Sequence, residues 1–376
     1  MTVVELDPRA VLAHRIAAHG LTDRSGTAVA DLAVCDLGVQ DTPPGALRAA
    51  LSARSAAPLA PDADVTAGGA LTLVWSFRGA PHLHRTADLP TIAAAGWPRD
   101  DADALSRLAW QRKRFVDAGV TGDEVYREVA GAVAGVLAEQ GPVTKSQLSS
   151  AVTGRVREEL SPFCKPCGVH HVGEQLLRLS ALAGGARLVA GSRPLTFEAI
   201  PGWPGVPARA GSTGALQLAY LRLFAGGSLA DVADFLGAPR AVVTDHPVEG
   251  PVAVSVGGRP GLARAEDVDA VRAGPVDVPV LRLLGPSDPL LSARDRELLV
   301  PDKAHRKEVW RPLGNPGLVL AGTEPLGVWR TRQKRTLELT VTAFRRPTKA
   351  ERTVLDEEAA RLAAVRGVAD ATVTVD

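Results

Sequence analysis

Three adjacent polar residues near the N-terminus, Gln40-Asp41-Thr42, could together handle one water molecule. An amide oxygen can orient the water, and a carboxylate can stabilise positive charge or accept a proton. Pro43 and Pro44 follow directly, bias Thr42 toward an extended backbone and end any helix at this point. The same polar residues are also an ordinary way to cap the helix predicted at residues 45–54. Both interpretations stay open at this point.

The direction of the side chains separates the members of this triplet. Successive residues of an extended chain point to opposite sides, so Gln40 and Thr42 are expected to share a face while Asp41 turns away. Gln40 is therefore the first choice for positioning water, and Thr42 is its hydroxyl partner. Asp41 is either a base or electrostatic stabiliser, or only the cap of the following helix.

Two further groups of residues have spacings that could serve binding. His82 and His84 alternate on a predicted strand, so they face the same side and could hydrogen bond to phosphates. Cys164 and Cys167 form a Cys-x-x-Cys pair with His171 nearby, but zinc in such a site takes four ligands and the fourth would be remote. The expected role of this cluster is a buried or turn-forming one, and neither a metal nor a cofactor is predicted.

The overall composition places the chain among globular proteins. Its 376 residues are 45% hydrophobic and 23% charged, which suits several folded modules. Three cysteines are too few for a disulfide scaffold, no apolar run approaches the length of a membrane span, and the N-terminus lacks the features of a signal peptide. A cytoplasmic protein is therefore predicted. The net charge of +1 gives no global argument for nucleic acid.

Helical and strand patterns repeat three times before the character of the chain changes. Each round has short helices followed by a hairpin, which is the plan of a winged helix, and the rounds occupy residues 1–100, 101–200 and 212–275. Among the predicted helices are residues 27–37 and 169–184. Residues 276–376 alternate apolar and polar types and predict a barrel-like β module with a covering helix. The fold class is α+β.

Basic residues cluster locally despite the neutral total. Residues 330–346 hold six Arg or Lys against one Glu, and this patch could follow phosphates, although a solubilising edge strand explains it equally well. The third hairpin, at residues 252–264, is a candidate probe of the minor groove. The candidate DNA contacts in these hairpins and this patch are Arg78, His82, His84, Arg259, Arg330, Arg332, Lys334 and Arg335.

Several stretches together resemble the bacterial winged-helix family that includes DNA glycosylases, whose members act in azinomycin-type self-resistance and in unhooking interstrand crosslinks. The stretches that carry the resemblance are Leu37-Gly38-Val39-Gln40, Trp75-Ser76-Phe77-Arg78-Gly79-Ala80-Pro81-His82-Leu83-His84, Leu284-Gly285-Pro286-Ser287-Asp288-Pro289-Leu290-Leu291, Arg294-Asp295-Arg296 and Trp310-Arg311-Pro312-Leu313-Gly314-Asn315-Pro316-Gly317. The resemblance spans most of the chain. It implies three tandem winged helices in a C-shaped arrangement around DNA.

The resemblance also implies site residues and a reaction. The family's glycosylases carry Gln-x-Gln or Gln-x-Asp where Gln40-Asp41-Thr42 lies here, and a His-x-His pair that His82 and His84 match. The prediction is a monomeric, bacterial, nucleoid-associated DNA glycosylase that excises bulky N7-alkylated guanines from duplex DNA, in repair or in self-resistance to a DNA-alkylating natural product. The alternative is a non-catalytic DNA-binding protein, which Thr42 favours. A metal-dependent hydrolase is a distant third.

Overall fold

Two units make up the chain, and both draw on segments that are far apart in the sequence. The computed structural model describes residues 3–24, 26–108, 111–274 and 277–376. Unit 1 comprises Met1–Asp64, Gln217–Asp231 and Val248–Asp376, and unit 2 comprises Val65–Leu216 and Val232–Pro247. The four predicted segments do not follow this division, and whether they behave as independent domains stays a prediction.

The α-helices are short except for two, α6 and α15. In chain order the helices of the described residues are α1 (Pro8–Ala18), α2 (Ala46–Ser52), α3 (Leu89–Gly96), α4 (Asp101–Ser106), α5 (Arg112–Asp117), α6 (Gly122–Gln140), α7 (Lys145–Thr153), α8 (Glu174–Ala181), α9 (Gly214–Leu223), α10 (Leu229–Leu236), α11 (Arg240–Thr244), α12 (Ala265–Ala273), α13 (Arg296–Leu299), α14 (Lys303–Val309) and α15 (Lys349–Arg366).

The strands lie mostly in small ribbons, apart from one larger sheet. They are β1 (Val4–Leu6), β2 (Val39–Gln40), β3 (Leu71–Trp75), β4 (Pro81–Arg85), β5 (Val143–Thr144), β6 (Phe163–Cys164), β7 (Val169–His170), β8 (Ala186–Leu188), β9 (Thr196–Ala199), β10 (Val252–Val256), β11 (Arg259–Ala263), β12 (Leu281–Leu284), β13 (Gly317–Ala321), β14 (Glu324–Gln333), β15 (Leu337–Ala343) and β16 (Ala371–Val375).

The C-terminal part of unit 1 is a five-stranded sheet in the order β12-β13-β14-β15-β16. The first four strands pair antiparallel, and β16 pairs parallel to β15 after the chain has crossed through α15. A parallel pair needs such a crossover, and here the helix supplies it. Thr348 caps α15, with Glu351 completing a capping box. The predicted β module with its covering helix is confirmed.

This sheet is open, which corrects the expectation of a barrel. Within the described residues β12 and β16 are edge strands that do not pair with each other. Both faces of the sheet are apolar: Leu283 and Val319 pack with the core under α15, whereas Leu284 and Leu318 pack with the core that includes Ile16 of α1. Because each face is covered by other elements, the sheet has no need to close on itself.

The N-terminal strand joins the third hairpin in unit 1. β1 pairs parallel to β10, which pairs antiparallel to β11. Beside this sheet Arg15 donates to both carboxylate oxygens of Asp295 at 2.8 and 2.6 Å and to the carbonyl oxygen of Ala225. Arg15 is 2% exposed, so its charge is satisfied inside the protein.

A second buried ion pair fastens α2 to the loop after β12. The Arg54 guanidinium donates to both oxygens of Asp288 at 2.8 Å, and both side chains are fully buried. Arg54 also donates to the carbonyl oxygens of His19 and Ala50 at 2.7 Å. Asp288 in turn accepts the N–H of Leu290 at 3.0 Å. All these groups are taken out of water, so each depends on the others for its hydrogen bonds.

Unit 2 contains the second predicted round in the predicted order. The helices α6, α7 and α8 precede the β8–β9 hairpin, to which β5 adds a strand. Thr121 with Glu124 and Thr144 with Gln147 form capping boxes at the starts of α6 and α7. The β3–β4 hairpin also lies in this unit. The second round has its predicted helices and hairpin, the first has no α-helix at residues 27–37, and the arrangement as three winged helices stays a prediction.

Two predicted helices are wrong in detail. Residues 27–37 form two 3₁₀ turns, Val29–Asp31 and Ala33–Asp36, because Leu32 between them adopts an extended backbone. Residues 169–184 begin with the strand β7, and the helix α8 starts only at Glu174. The preceding Gly168 has φ of 70°, which turns the chain into a hairpin.

No helix among the described residues has the length and apolar character that crossing a membrane would require.

Substitution of Asp288 tests the importance of the buried ion pair. Asp288→Asn keeps the shape and leaves the Arg54 charge without its partner, so the free energy of unfolding is expected to fall by about 3–5 kcal/mol. Urea unfolding followed by circular dichroism measures it. The control is Asp117→Asn, which removes an exposed carboxylate paired with Lys113 at 2.6 Å and is expected to change stability by less than about 1 kcal/mol. Equal effects of the two substitutions would contradict this assignment.

Candidate active site

The polar triplet lies at the end of a short strand, between it and a helix. β2 ends at Gln40, and α2 begins at Ala46 after Gly45, whose φ is 89°. Gln40 and Asp41 are half-buried, whereas Thr42 is exposed. The local sequence explains this conformation: the prolines prevent helix at Thr42, and glycine permits the left-handed turn before α2.

Asp41 is turned toward the helix and caps it. One carboxylate oxygen, Oδ1, accepts the N–H groups of Gly45 at 2.7 Å and Leu47 at 3.2 Å. Burial raises the pKa of Asp41 above its ordinary value, and the N–H groups of Leu47 and Gly45 oppose this rise. The predicted capping role is therefore present, and a catalytic role for Asp41 stays a prediction.

The loop is anchored from the other side by Ser287. The hydroxyl of Ser287 donates to the backbone carbonyl oxygen of Thr42. Ser287 precedes Asp288, whose buried pairing with Arg54 fixes this loop against α2. The triplet is thus held at Asp41 by the helix N-terminus and at Thr42 by a hydrogen bond to the main chain. Such fixing is what positioned catalytic groups require.

His82 and His84 lie inside unit 2, and their side chains are 2% and 0% exposed. They share one face of β4, as the alternation predicts, and the edge of Phe77 contacts both rings at centroid distances of 5.7 and 5.6 Å. Burial lowers the pKa of His84 to about 3 and lowers that of His82 well below its ordinary value, so both rings are neutral at pH 7. This burial is at odds with direct phosphate contact, and a role in DNA binding stays a prediction.

Ser76 links the two rings of this pair. Nδ1 of His82 lies 3.0 Å from the carbonyl oxygen of Ala80, which can only accept, so this nitrogen carries the proton. The Ser76 hydroxyl lies 3.0 Å from the same nitrogen, from which it accepts, and it forms a second hydrogen bond with Nε2 of His84 at 2.9 Å. Nδ1 of His84 is buried and has no hydrogen-bond partner among the described residues.

Arg78 occupies the turn of the same hairpin in a conformation that is rare for residues with a side chain. Its φ is 59°, and its guanidinium lies 5.2 Å from the centre of the Phe235 ring. Trp75, Phe77 and Trp97 line a cavity of about 40 Å³ beside Arg78. That volume holds only a few water molecules. Arg78 is half-buried, and a contact with DNA stays a prediction for it.

Arg259 is engaged by acidic residues of unit 1. Its guanidinium lies 2.9 Å from Asp231 and 3.1 Å from Asp295, and these carboxylates raise its pKa against the opposing effect of burial. Asp295 also binds Arg15, so two arginines and two carboxylates balance one another here. The DNA contact expected of Arg259 stays a prediction that this pairing does not favour.

The predicted basic strand is exposed on one face. Arg330 lies opposite Thr340 and Arg332 opposite Glu338 in the β14–β15 pair, so both arginines point away from the face covered by α15. Lys334 and Arg335 are exposed in the turn that follows, with Lys334 bound to Glu338 at 2.7 Å. Trp329 ties this strand to the end of β12 by donating to the carbonyl oxygen of Leu284 at 3.0 Å.

Sequence reasoning missed three residues that shape these sites. Ser76 and Ser287 lie within the stretches that carry the family resemblance, but neither was given a role. Arg54 had no local signal, because its partner Asp288 is 234 positions away. A lone arginine at the end of a helix is ordinarily exposed, and only the fold shows that this one is buried.

Comparison with known families shows which family the chain belongs to. The model of a family described as "DNA glycosylase AlkZ-like" matches residues 36–365. The chain belongs to the AlkZ-like DNA glycosylase family. The family resemblance inferred from the sequence is thereby confirmed, and this AlkZ-like chain is an enzyme that acts on DNA.

A solved structure shares the fold of this AlkZ-like chain. It is similar to the Streptomyces sahachiroi DNA glycosylase AlkZ with a TM-score of 0.76 and 22% sequence identity, over 99% of this chain and 100% of that one. Comparison with curated protein sequences gave no match.

Acidification tests the buried histidines of this AlkZ-like chain. The folded pKa of His84, about 3, lies below the ordinary value of 6.5, so only the unfolded chain binds a proton between these values. Stability is therefore full above pH 6.5 and falls toward pH 3, by up to about 1.4 kcal/mol per pH unit for each such histidine. NMR of the His84 ring, assigned with His84→Gln, is expected to show no titration from about pH 8 to about pH 5. A midpoint near 6.5 would contradict the burial.

Proposed function

We propose that this enzyme hydrolyses the N-glycosidic bond of bulky N7-alkylated guanines in duplex DNA. The observation that carries the proposal is the Gln40–Thr42 loop, a partly exposed polar segment held by the Asp41 cap and by Ser287 in a DNA glycosylase of the AlkZ-like family. The loop offers a water-binding amide and a hydroxyl at a fixed place.

The reaction breaks the bond between C1′ of the sugar and N9 of the base. Alkylation at N7 makes the base cationic, so the bonding electrons leave with it and yield a neutral base without an added proton. The barrier then depends on the positive charge that develops on the sugar and on the water that attacks C1′. That water gives up a proton as the new C–O bond forms. Catalysis therefore falls to residues that stabilise this charge, orient the water and accept its proton, and no general acid is needed for the leaving base.

The three loop residues divide this work unequally. Gln40 accepts a hydrogen bond from the attacking water through its amide oxygen, and Thr42 provides a hydroxyl next to it. Asp41 acts first as a positioning residue through its cap on α2. Its second carboxylate oxygen stabilises the positive charge or accepts the proton, which its raised pKa favours.

DNA is bound by basic residues outside the loop. Arg330, Arg332, Lys334 and Arg335 form the exposed basic face of the β14–β15 hairpin and contact phosphates. Three tandem winged helices in a C-shaped arrangement around the duplex complete the binding, as the family resemblance implies. The β3–β4 hairpin contributes to this binding with Arg78, His82 and His84. The β10–β11 hairpin contributes with Arg259.

Excision without full flipping of the base suits bulky adducts better than small ones. Glycosylases that flip a base fully into a tight pocket exclude large adducts. The cavity beside Arg78 is too small to receive a base. The biological setting that follows is repair of, or self-resistance to, a DNA-alkylating natural product, by a monomer acting in the cytoplasm at the nucleoid.

Excision of a defined adduct tests the role of Gln40. Duplex DNA with one N7-alkylguanine is incubated with excess enzyme, and abasic sites are measured by alkaline cleavage. Gln40→Ala is expected to lower the single-turnover rate by about 100-fold or more, because it removes the water-positioning amide. The control is Gln140→Ala at the exposed end of α6, which is expected to keep the rate. DNA binding without excision by the unaltered enzyme, across a series of adducts, would favour the non-catalytic alternative.

Two substitutions at Asp41 separate its cap from its charge. Asparagine caps helices as well as aspartate does, so Asp41→Asn keeps the cap and removes the carboxylate, whereas Asp41→Ala removes both. Asp41→Ala is expected to lose about 1 kcal/mol of stability and most of the activity, while Asp41→Asn keeps the stability. Single-turnover rates of both variants then show the contribution of the charge. Full activity of Asp41→Ala would refute the positioning role.

The salt dependence of binding tests the basic face. Each lost phosphate contact is expected to reduce the slope of log affinity against log salt by about 1, so Arg330→Gln and Arg332→Gln should each flatten the slope on undamaged duplex. Arg345→Gln is the matched control, since its guanidinium is already bound by Glu351 at 2.6 and 2.9 Å. A control slope as flat as those of the two variants would argue against a specific DNA face at β14.

A further inference from the structure

A short turn in unit 2 brings two cysteines to the same side of the chain. Cys164 ends β6, and the backbone N–H groups of Cys167 and Gly168 both donate to its carbonyl oxygen, at 3.1 and 2.8 Å. Gly168 has φ of 70°, and the chain then returns as β7, with Cys164 opposite Val169. Two N–H groups converging on one carbonyl curl the Cys-x-x-Cys segment, so that the two sulfurs approach each other.

His171 completes the cluster from the end of β7. Its Nδ1 lies 2.8 Å from the carbonyl oxygen of Val172, which can only accept, so Nδ1 carries the proton and Nε2 keeps its lone pair. A hydrogen bond at the far nitrogen is the usual way in which a metal-binding histidine is oriented. Val172 is buried, and its N–H donates to Thr153 Oγ1 at 2.9 Å, so the backbone next to the ring is fixed to α7.

The ligand atoms of Cys164, Cys167 and His171 all lie within 4.8 Å of one another. In a tetrahedral site with Zn–S bonds of about 2.3 Å the sulfurs are about 3.8 Å apart. The observed spacing therefore needs only a small contraction, which rotation of exposed side chains can provide. We propose that Cys164, Cys167 and His171 bind one Zn²⁺ ion.

The chemistry of these ligands selects the metal. Two thiolates and one imidazole are soft and borderline donors, which favour zinc over magnesium or calcium. Two thiolates also neutralise the 2+ charge, so the occupied site adds no net charge to the surface. A water molecule fills the fourth position, since Cys167 is exposed and Cys164 half-buried. Glu174, at the start of α8, is near enough to interact electrostatically with Cys167 and His171.

The ion would add to the few contacts that hold this ribbon, which include the Phe163 and His170 rings packed with centroids 5.3 Å apart. β6 and β7 contribute only two residues each, and Phe163 and Val169 are 53% and 54% exposed. A two-stranded ribbon with no hydrophobic face is marginal alone in water. Metal ligands from both ends of the turn would close this ribbon and couple its order to zinc binding. The ion orders this ribbon although its fourth position is open to water, and it is independent of the proposed reaction at Gln40.

Metal analysis of the full-length chain tests the site. Protein purified under reducing conditions and loaded with zinc is expected to hold about one tightly bound Zn²⁺ per chain after desalting. Cys164→Ser, Cys167→Ser and His171→Gln are each expected to lose it. The matched control is His170→Gln, which alters the neighbouring exposed histidine and should retain the ion. Circular dichroism confirms that each variant is folded.

Replacing zinc by cobalt identifies the ligands of the proposed site by spectroscopy. The cobalt-loaded protein is expected to show sulfur-to-cobalt charge transfer and the intense visible bands of tetrahedral coordination, both lost in Cys164→Ser. Three outcomes would overturn the proposal: no zinc bound by the unaltered chain, zinc retained when both cysteines are serine, or a Cys164–Cys167 disulfide that persists under reducing conditions. Loss of zinc in His170→Gln but not in His171→Gln would overturn the ligand assignment.

Discussion

The buried ion pair between Arg54 and Asp288 is the interaction on which the site in unit 1 depends. Two charges removed from water need their partners, and two further guanidinium N–H groups donate to the carbonyl oxygens of His19 and Ala50. The ends of α1 and α2 and the loop after β12 are therefore fixed to one another. Ser287 is next to Asp288, so the Arg54–Asp288 pair also fixes the position of the Ser287 hydroxyl that holds the Gln40–Thr42 loop.

In the proposed mechanism the Gln40–Thr42 loop combines structural and chemical duties in adjacent residues. Asp41 satisfies backbone N–H groups at the start of α2, whereas the chemistry is assigned to its neighbours Gln40 and Thr42. A loop with only chemical residues would have to be fixed from outside, and its conformational entropy would oppose binding. Here the helix cap supplies part of that order. This division explains why a carboxylate can occupy the middle of the triplet in a DNA glycosylase of this family.

Sequence patterns predicted the local elements well and the environments of side chains poorly. The alternation of apolar and polar residues in the β14–β15 region and the family resemblance both lie in contiguous residues. Burial of His82 and His84 does not, since the strand pattern shows that they share a face but not what covers it. The open sheet was missed for a similar reason: two apolar faces look the same in sequence whether a sheet closes or is covered by helices. The strand β7 was missed because Val169 to Ala181 also fits helical spacing.

The bond from Ser287 has a consequence for how this loop can evolve. Its acceptor is the backbone carbonyl of residue 42, and every amino acid has that group. The anchor therefore imposes no requirement on the side chain at this position, and exchange among threonine, glutamine and aspartate leaves the loop's path intact. The side chain of residue 42 can therefore change while the backbone next to Gln40 keeps its place. Side-chain chemistry and loop geometry are thus separable at this position.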